Sequence, residues 1–282
     1  MFTDEYATPT RLEVMIDLLR DLRSQQRTVD AEMLCNLLQP DGLPNLNPLR
    51  GQSKKVLQAA KELGLVIDDG RKVTLAGIER LSRRSTRDWV LEAFDQKVLS
   101  DTQIEPYFAL FYSYMLVQRS SDRGRTPDEW ARDFNRDVFK DQPMPNPFNT
   151  DKISGMHRWM RWAGLGWYDP KETFLCNPYD RIRRNLPAVF GDNSRLDDEA
   201  FISALGRECP ELDSGKIFNQ VCPDQSKHQL SAGSAQALVD LHLDGVITLH
   251  TALDASGWSL EQAEPVDLEG PRFHAVELSR RT

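Results

Sequence analysis

Three times in this chain an amphipathic helical pattern runs into a glycine and then into a short β-forming segment. The sites are Lys61-Glu62-Leu63-Gly64-Leu65-Val66-Ile67-Asp68, Arg161-Trp162-Ala163-Gly164-Leu165-Gly166-Trp167-Tyr168 and Asp240-Leu241-His242-Leu243-Asp244-Gly245-Val246-Ile247. The first two keep register: Gly64, Leu65, Asp69 and Leu75 recur 100 positions later as Gly164, Leu165, Asp169 and Leu175. Glycine tolerates the left-handed conformation that ends a helix, and Asp69-Gly70 tolerates positive φ in the turn that follows. A chain punctuated in this way is expected to be mainly α with small β-hairpins.

Helix, C-cap glycine and two-stranded hairpin form the second half of a winged-helix module, a helix-turn-helix fold. The sequence therefore predicts tandem winged-helix domains. In the first, residues 1–84, Thr8-Pro9 opens a helix with Leu12, Met15, Leu18, Leu19 and Leu22 on one face. A second helix from Thr28 or Asp30 brings Met33, Leu34, Leu37 and Leu38 to the same core and stops at Pro40-Asp41-Gly42. After Asn45 and Asn47-Pro48, a third helix from about Gly51 to Leu63 buries Val56, Ala59, Ala60 and Leu63. Residues 85–100 read as a linker helix capped by Ser85 or Thr86. The second domain, 101–190, opens on the aromatic helix of Tyr107, Phe108, Phe111, Tyr114 and Met115. Its second helix starts at Thr126-Pro127-Asp128-Glu129, a capping box with proline at the first position. The loop 142–147 leads to a third helix from about Asp151 to Trp162, with Ile153, Met156, Trp159 and Met160 inward. Residues 191–282 form a winged-helix-like third domain, whose strands 246–249 and 273–278 are separated by a long connection through Gly257, Pro265, Gly270 and Pro271.

Charge divides the chain more sharply than composition does. Residues 1–100 carry 15 basic and 15 acidic residues, and 101–190 carry 13 and 12. Residues 191–282 carry 7 and 16, so essentially all of the net −8 lies in the last third. Such asymmetry points to different partners at the two ends, or to a plain acidic soluble domain. No apolar run approaches the ~18 residues of a membrane span, and the N-terminus lacks a signal-peptide pattern, so a cytoplasmic protein without membrane partners is expected. Cys35, Cys176, Cys209 and Cys222 are scattered, with no C-x-x-C pair and no histidine at zinc-ligand spacing. Buried free thiols are expected, with no metal and no cofactor. The phosphate-loop, dinucleotide, zincin and nucleophile-elbow motifs are absent. Asp95-Gln96-Lys97 has nuclease-like spacing but sits on an amphipathic helix, where it reads as a solvated face. No enzyme is expected.

In a DNA-binding winged helix the third helix enters the major groove while the wing touches phosphates. The first domain offers Arg50, Gln52, Ser53, Lys54, Lys55 and Gln58 on that helix, and Arg71 and Lys72 in the wing. Arg80, Arg83, Arg84 and Arg87 extend the positive surface. The second offers Lys152, Ser154, His157, Arg158 and Arg161, then Lys171, Arg181, Arg183 and Arg184. Arg and Lys bind phosphate or guanine and Gln reads adenine. Each cluster also fits an ordinary solvated helix face. The third domain offers Ser231, Ser234, Gln236, Asp240 and His242, with no Lys or Arg, so its partner is expected to be protein. Trp258 and Phe273 fit either a contact or the core.

The order of features and the junctions Glu62-Leu63-Gly64-Leu65 and Trp162-Ala163-Gly164-Leu165 resemble the DpdG family. That family belongs to bacterial gene clusters that insert 7-deazaguanine derivatives into DNA and restrict unmodified DNA. The resemblance implies a DNA-modification or antiviral defence system with a helicase or nuclease as partner, and transfers no functional residue. The expected function is a non-enzymatic component in which the first two domains hold double-stranded DNA and the acidic third docks a protein. A protein–protein adaptor subunit and a transcription regulator are the alternatives.

Overall fold

The computed structural model describes residues 2, 7–39, 51–77, 85–100, 105–118, 125–140, 147–223, 228–252, 257–261, 263 and 270–279. Its contacts divide the chain into two compact units. Unit 1 comprises Met1–Val98, Thr102–Glu105 and Asp151–Trp159, and unit 2 comprises Leu99–Asp101, Pro106–Thr150 and Met160–Thr282. The expected segments at 40–50 and 142–146, together with Pro265, lie outside the described residues.

In unit 1, helix α1 (Pro9–Ser24) starts where the Thr8 hydroxyl accepts the Arg11 N–H, with Pro9 at the first position. Helix α2 (Ala31–Leu38) starts where Asp30 caps the Met33 N–H. Helix α3 (Gly51–Glu62) buries Val56, Ala59 and Ala60 against the Leu12, Met15, Ile16 and Leu19 side of the core. Strands β1 (Val66–Asp68) and β2 (Val73–Leu75) pair antiparallel, and Val73 also donates to the Val29 carbonyl. Helix α4 (Thr86–Lys97), capped by Ser85, packs on α1, where Arg20 donates to the Thr86 hydroxyl at 2.8 Å. Its Phe94 stacks on Trp159 with centroids 5.1 Å apart, Phe2 lies edge-on to both, and the Trp159 indole N–H donates to the Ala7 carbonyl at 2.7 Å.

One expected core face is corrected here. Met33 and Leu37 are each 42 % exposed, and Leu34 and Cys35 are the residues of α2 that are buried. Met33, Leu34, Leu37 and Leu38 share less than half of the helix circumference, but the buried side is centred between Leu34 and Cys35, which turns Met33 and Leu37 towards solvent.

Unit 2 is built on helix α5 (Pro106–Gln118), buried without interruption from Tyr107 to Leu116. Helix α6 (Pro127–Phe139) begins in the expected capping box and adds Trp130 and Phe134 to an aromatic cluster with Phe111 and Phe148. Helix α7 (Thr150–Trp162) contributes to both units, and strands β3 (Gly166–Tyr168) and β4 (Phe174–Cys176) follow it. Helix α8 (Tyr179–Phe190) comes next. Strand β5 (Arg195–Asp197) leads into helix α9 (Asp198–Glu208), helix α10 (Lys216–Val221) and helix α11 (Ala232–Leu243). Strands β6 (Ile247–Ala252), β7 (Trp258–Ser259) and β8 (Arg272–Leu278) complete a sheet of order β5-β8-β6, with β7 also pairing with β8. Inside, Arg181 and Glu211 form an ion pair at 2.7 Å with side chains 3 % and 0 % exposed. The Asp213 carboxylate accepts the N–H and the hydroxyl of Ser231. Cys35, Cys176 and Cys209 are buried free thiols and Cys222 is half-buried.

The three helix–glycine–strand junctions share one hydrogen-bond pattern. The glycine N–H reaches back three residues (Gly64 to Lys61, Gly164 to Arg161, Gly245 to His242) and the next N–H reaches back five (Leu65 to Ala60, Leu165 to Met160, Val246 to Leu241). This is the Schellman cap, and φ is +71°, +69° and +66° at the three glycines. The residue after each glycine then accepts from the returning strand: Leu65 from Ala76, Leu165 from Asn177, Val246 from Ser279. Among the described residues, no helix is long and apolar enough to cross a membrane.

Candidate functional site

On α3, Lys54 and Gln58 are exposed one turn apart, and Gln52 and Lys55 are half-buried beside them. Lys61, on the same side, pairs with Asp68 at 3.1 Å. Between the strands, the Asp69 carboxylate accepts the N–H groups of Arg71 and Lys72, which hold its pKa below the ordinary value and leave both cationic side chains in solvent. Asp68 is lowered likewise, by the Gly70 N–H and then by Lys61. Arg50, Arg80, Arg83 and Arg84 lie outside the described residues, while Arg87 is exposed on α4.

The second cluster is thinner than the sequence led us to expect. Lys152 is buried, 8 % exposed, and desolvation lowers its pKa. His157 is also largely inside, and burial pushes its pKa down to about 4, so it is neutral at pH 7. Arg181 is not a surface cation: its Nε donates to Glu211 and its guanidinium also reaches the Glu208 carbonyl. Two features correct these three expectations of exposure. On α7 the helix is enclosed on more than its apolar stripe, and α8 turns Arg181 into the core. Arg184 is half-buried and donates to the Ala163 carbonyl at 3.0 Å. Ser154, Arg158, Arg161, Lys171 and Arg183 are exposed.

The expected face of the third domain is corrected more completely. Ser231, Ser234 and Gln236 are 3 %, 0 % and 8 % exposed, because every residue of α11 from Ala232 to Val239 is buried. Asp240 is half-buried and accepts from Asn177 and Gln236, while the His242 Nδ1 accepts the Leu249 N–H. Phe273 is core.

What sequence reasoning missed is the apolar surface. Ile67 is 58 % exposed on β1, Trp167 and Tyr168 are 45 % and 44 % exposed on β3, and Leu243 is 61 % exposed at the end of α11. The register repeat was a usable signal, since Ile67 and Trp167 occupy the same place 100 residues apart. Trp167 and Leu243 line an open groove of about 520 Å³ with Arg161, Asp180, Asp240 and Asp244. Elsewhere in unit 2, ligand atoms of Asp198, Glu199 and His228 lie within 4.8 Å of one another, the one such grouping among the described residues. Its members stand 29 residues apart in the chain, beyond any local spacing rule, and the two acids also suit the N-terminus of α9.

Comparison with known proteins bears on this arrangement. A family model described as DpdG-like matches residues 1–255. The chain belongs to the DpdG-like family. That membership associates it with gene clusters for DNA modification. No curated protein and no solved structure matches it.

Proposed function

We propose that the chain is a non-enzymatic, cytoplasmic, DNA-holding subunit of a bacterial DNA-modification or phage-defence system. It is organised as winged-helix modules over 1–84, 101–190 and 191–282 with the helix 85–100 between the first two. Double-stranded DNA sits on α3 and the first hairpin, and the C-terminal end docks a protein, with a helicase or nuclease the class the family context favours. The observation that carries this reading is the solvent-facing set Lys54, Gln58, Arg71 and Lys72, placed on the helix and turn that meet groove and phosphate in this kind of fold. Lys55 and Gln52 flank it. The second module adds the exposed Arg158, Lys171 and Arg183, while its Arg161 shares a groove with three acids, so it contributes phosphate attraction more than register.

The adaptor alternative draws support from the exposed Trp167, Tyr168 and Leu243, since aromatic surface is enriched where proteins bind proteins. Fluorescence anisotropy of the full chain with a labelled random duplex, across a salt series, tests the DNA half. Affinity that falls steeply with salt and is lost in Lys54→Glu/Lys55→Glu/Arg71→Glu is the expected result. No affinity at low salt would leave the adaptor reading alone.

A further inference from the structure

The groove beside the second hairpin combines features that belong together chemically. Its lining holds Trp167 and Leu243, both exposed, together with Asp180, Asp240 and Asp244 against the single cation Arg161. Asp240 is held by two neutral amides, Asn177 Nδ2 and Gln236 Nε2, each at 2.8 Å. Asp244 accepts the Tyr179 hydroxyl at 2.7 Å. None of the three acids has an ion pair among the described residues. Neutral donors orient a carboxylate while leaving its remaining lone pairs and its negative charge for something else. An indole that shares a groove with carboxylates suits a guanidinium, which stacks on aromatic rings and forms forked hydrogen bonds to carboxylates. Phosphate is repelled by the same carboxylates.

We propose that this groove docks an arginine-bearing segment of a partner protein, with apolar neighbours of the arginine covering Trp167 and Leu243. The proposal rests on the reading that the C-terminal end of the chain docks a protein, and it names the surface and the chemistry. It also accounts for a groove assembled from distant segments, with Arg161, Trp167 and Asp180 from one and Asp240, Leu243 and Asp244 from the other.

The test uses the full chain and a short fluorescein-labelled peptide of alternating leucine and arginine, with a second peptide carrying citrulline, the neutral isostere, in place of arginine. The arginine peptide is expected to bind and the citrulline peptide to bind at least about tenfold more weakly. Asp240→Asn/Asp244→Asn removes the two charges but keeps only one acceptor oxygen at each position, so one of the two amide bonds to Asp240 is lost and circular dichroism checks the fold. It is expected to weaken the arginine peptide by about tenfold or more, and Trp167→Ala, which leaves those bonds intact, is expected to do the same. Asp192→Asn/Glu261→Gln makes the same change in net charge at exposed sites outside the groove and is expected to change nothing. Equal binding of both peptides, equal weakening by the distant pair, or indifference to the groove variants overturns the proposal. A labelled duplex run on the same variants separates the two readings. Its affinity is expected to hold in Trp167→Ala, and its loss there would make the groove a nucleic-acid site. Absence of duplex binding with the peptide result intact would sink the DNA reading and leave this one standing.

Discussion

The junctions at Gly64 and Gly164 are one local design placed in two settings. Their capping hydrogen bonds match residue for residue, their glycines differ by 2° in φ, and each closes its hairpin by the same bond to the leucine after the glycine. What surrounds them differs. Lys54-Lys55 becomes Ser154-Gly155, Leu57 becomes His157, and Ile67 becomes Trp167. At the first junction the space beyond the glycine is open, whereas at the second the Asp180 side chain of α8 sits on it. The comparison teaches that a few residues fix a backbone turn, while the elements packed around that turn decide what its surface can meet.

The largest expected difference concerns buried charge. Arg181→Met should destabilise unit 2 by about 3–5 kcal/mol, because it strips the enclosed Glu211 carboxylate of the guanidinium on one oxygen while the other, Oε2, already has no hydrogen-bond partner. Urea unfolding monitored by circular dichroism measures this. Arg181→Met/Glu211→Leu should recover most of the loss, and a single-variant loss below about 1 kcal/mol would mean that the pair is not buried in solution.

His157 comes next. Its pKa in the folded chain, about 4, lies below the ordinary 6.5, so the unfolded chain binds the proton more readily. Stability contributed by the neutral ring is therefore present above pH 6.5 and is lost as pH falls towards 4, by roughly 3 kcal/mol at most. His157→Leu copies the residue found at the first junction and should flatten the unfolding free energy across that window. A slope unchanged by the substitution would show that the ring is hydrated.

The glycines offer a smaller and more direct contrast. Gly64→Ala should cost about 1 kcal/mol, from the positive φ alone, since nothing lies within 4 Å of the added methyl. Gly164→Ala meets Asp180 Oδ2 at 2.5 Å and its Cβ at 2.6 Å, so it should cost about 1–3 kcal/mol more. In an Asp180→Gly background that excess should disappear, and a double-mutant cycle without coupling would break the contrast. Smallest of all, Lys61→Ala removes a pair open to solvent and should change the melting free energy by less than about 1 kcal/mol.

Much of the local structure was legible in the sequence. The capping box at Thr126 and Glu129, the Asp69-Gly70 turn and the three helix-ending glycines announce themselves within a few residues, and the structure forms each where the pattern places it. Helix α8 escaped because Pro178 offers no side-chain cap, Pro187 interrupts the run and the arginines drew attention to charge. The spacing of Ile182, Leu186, Val189 and Phe190 was its available signal. Strand β5 is three residues long, two of them charged, and depends wholly on its pairing with β8. The face of α11 was misread because Ser231, Ser234 and Gln236 look solvated by type. Ser231 is held by Asp213 and Gln236 by Asp240, and Ser234 is small enough to be enclosed, an interior placement that a periodic pattern cannot reveal. The candidate groove shares that cause, since its two halves lie some 60 to 80 residues apart in sequence.

The stack of Phe94 on Trp159, locked by the indole bond to Ala7, has a consequence for how the protein is made. Translation delivers the N-terminal helices first, yet the ring that closes over them arrives only with the second hundred residues, after α5 and α6 of the other unit have been synthesised. Until then Phe2 and Phe94 have no lid. The nascent chain therefore cannot finish its first unit before it starts its second, and a clone stopped near residue 100 would produce an open core rather than a smaller protein.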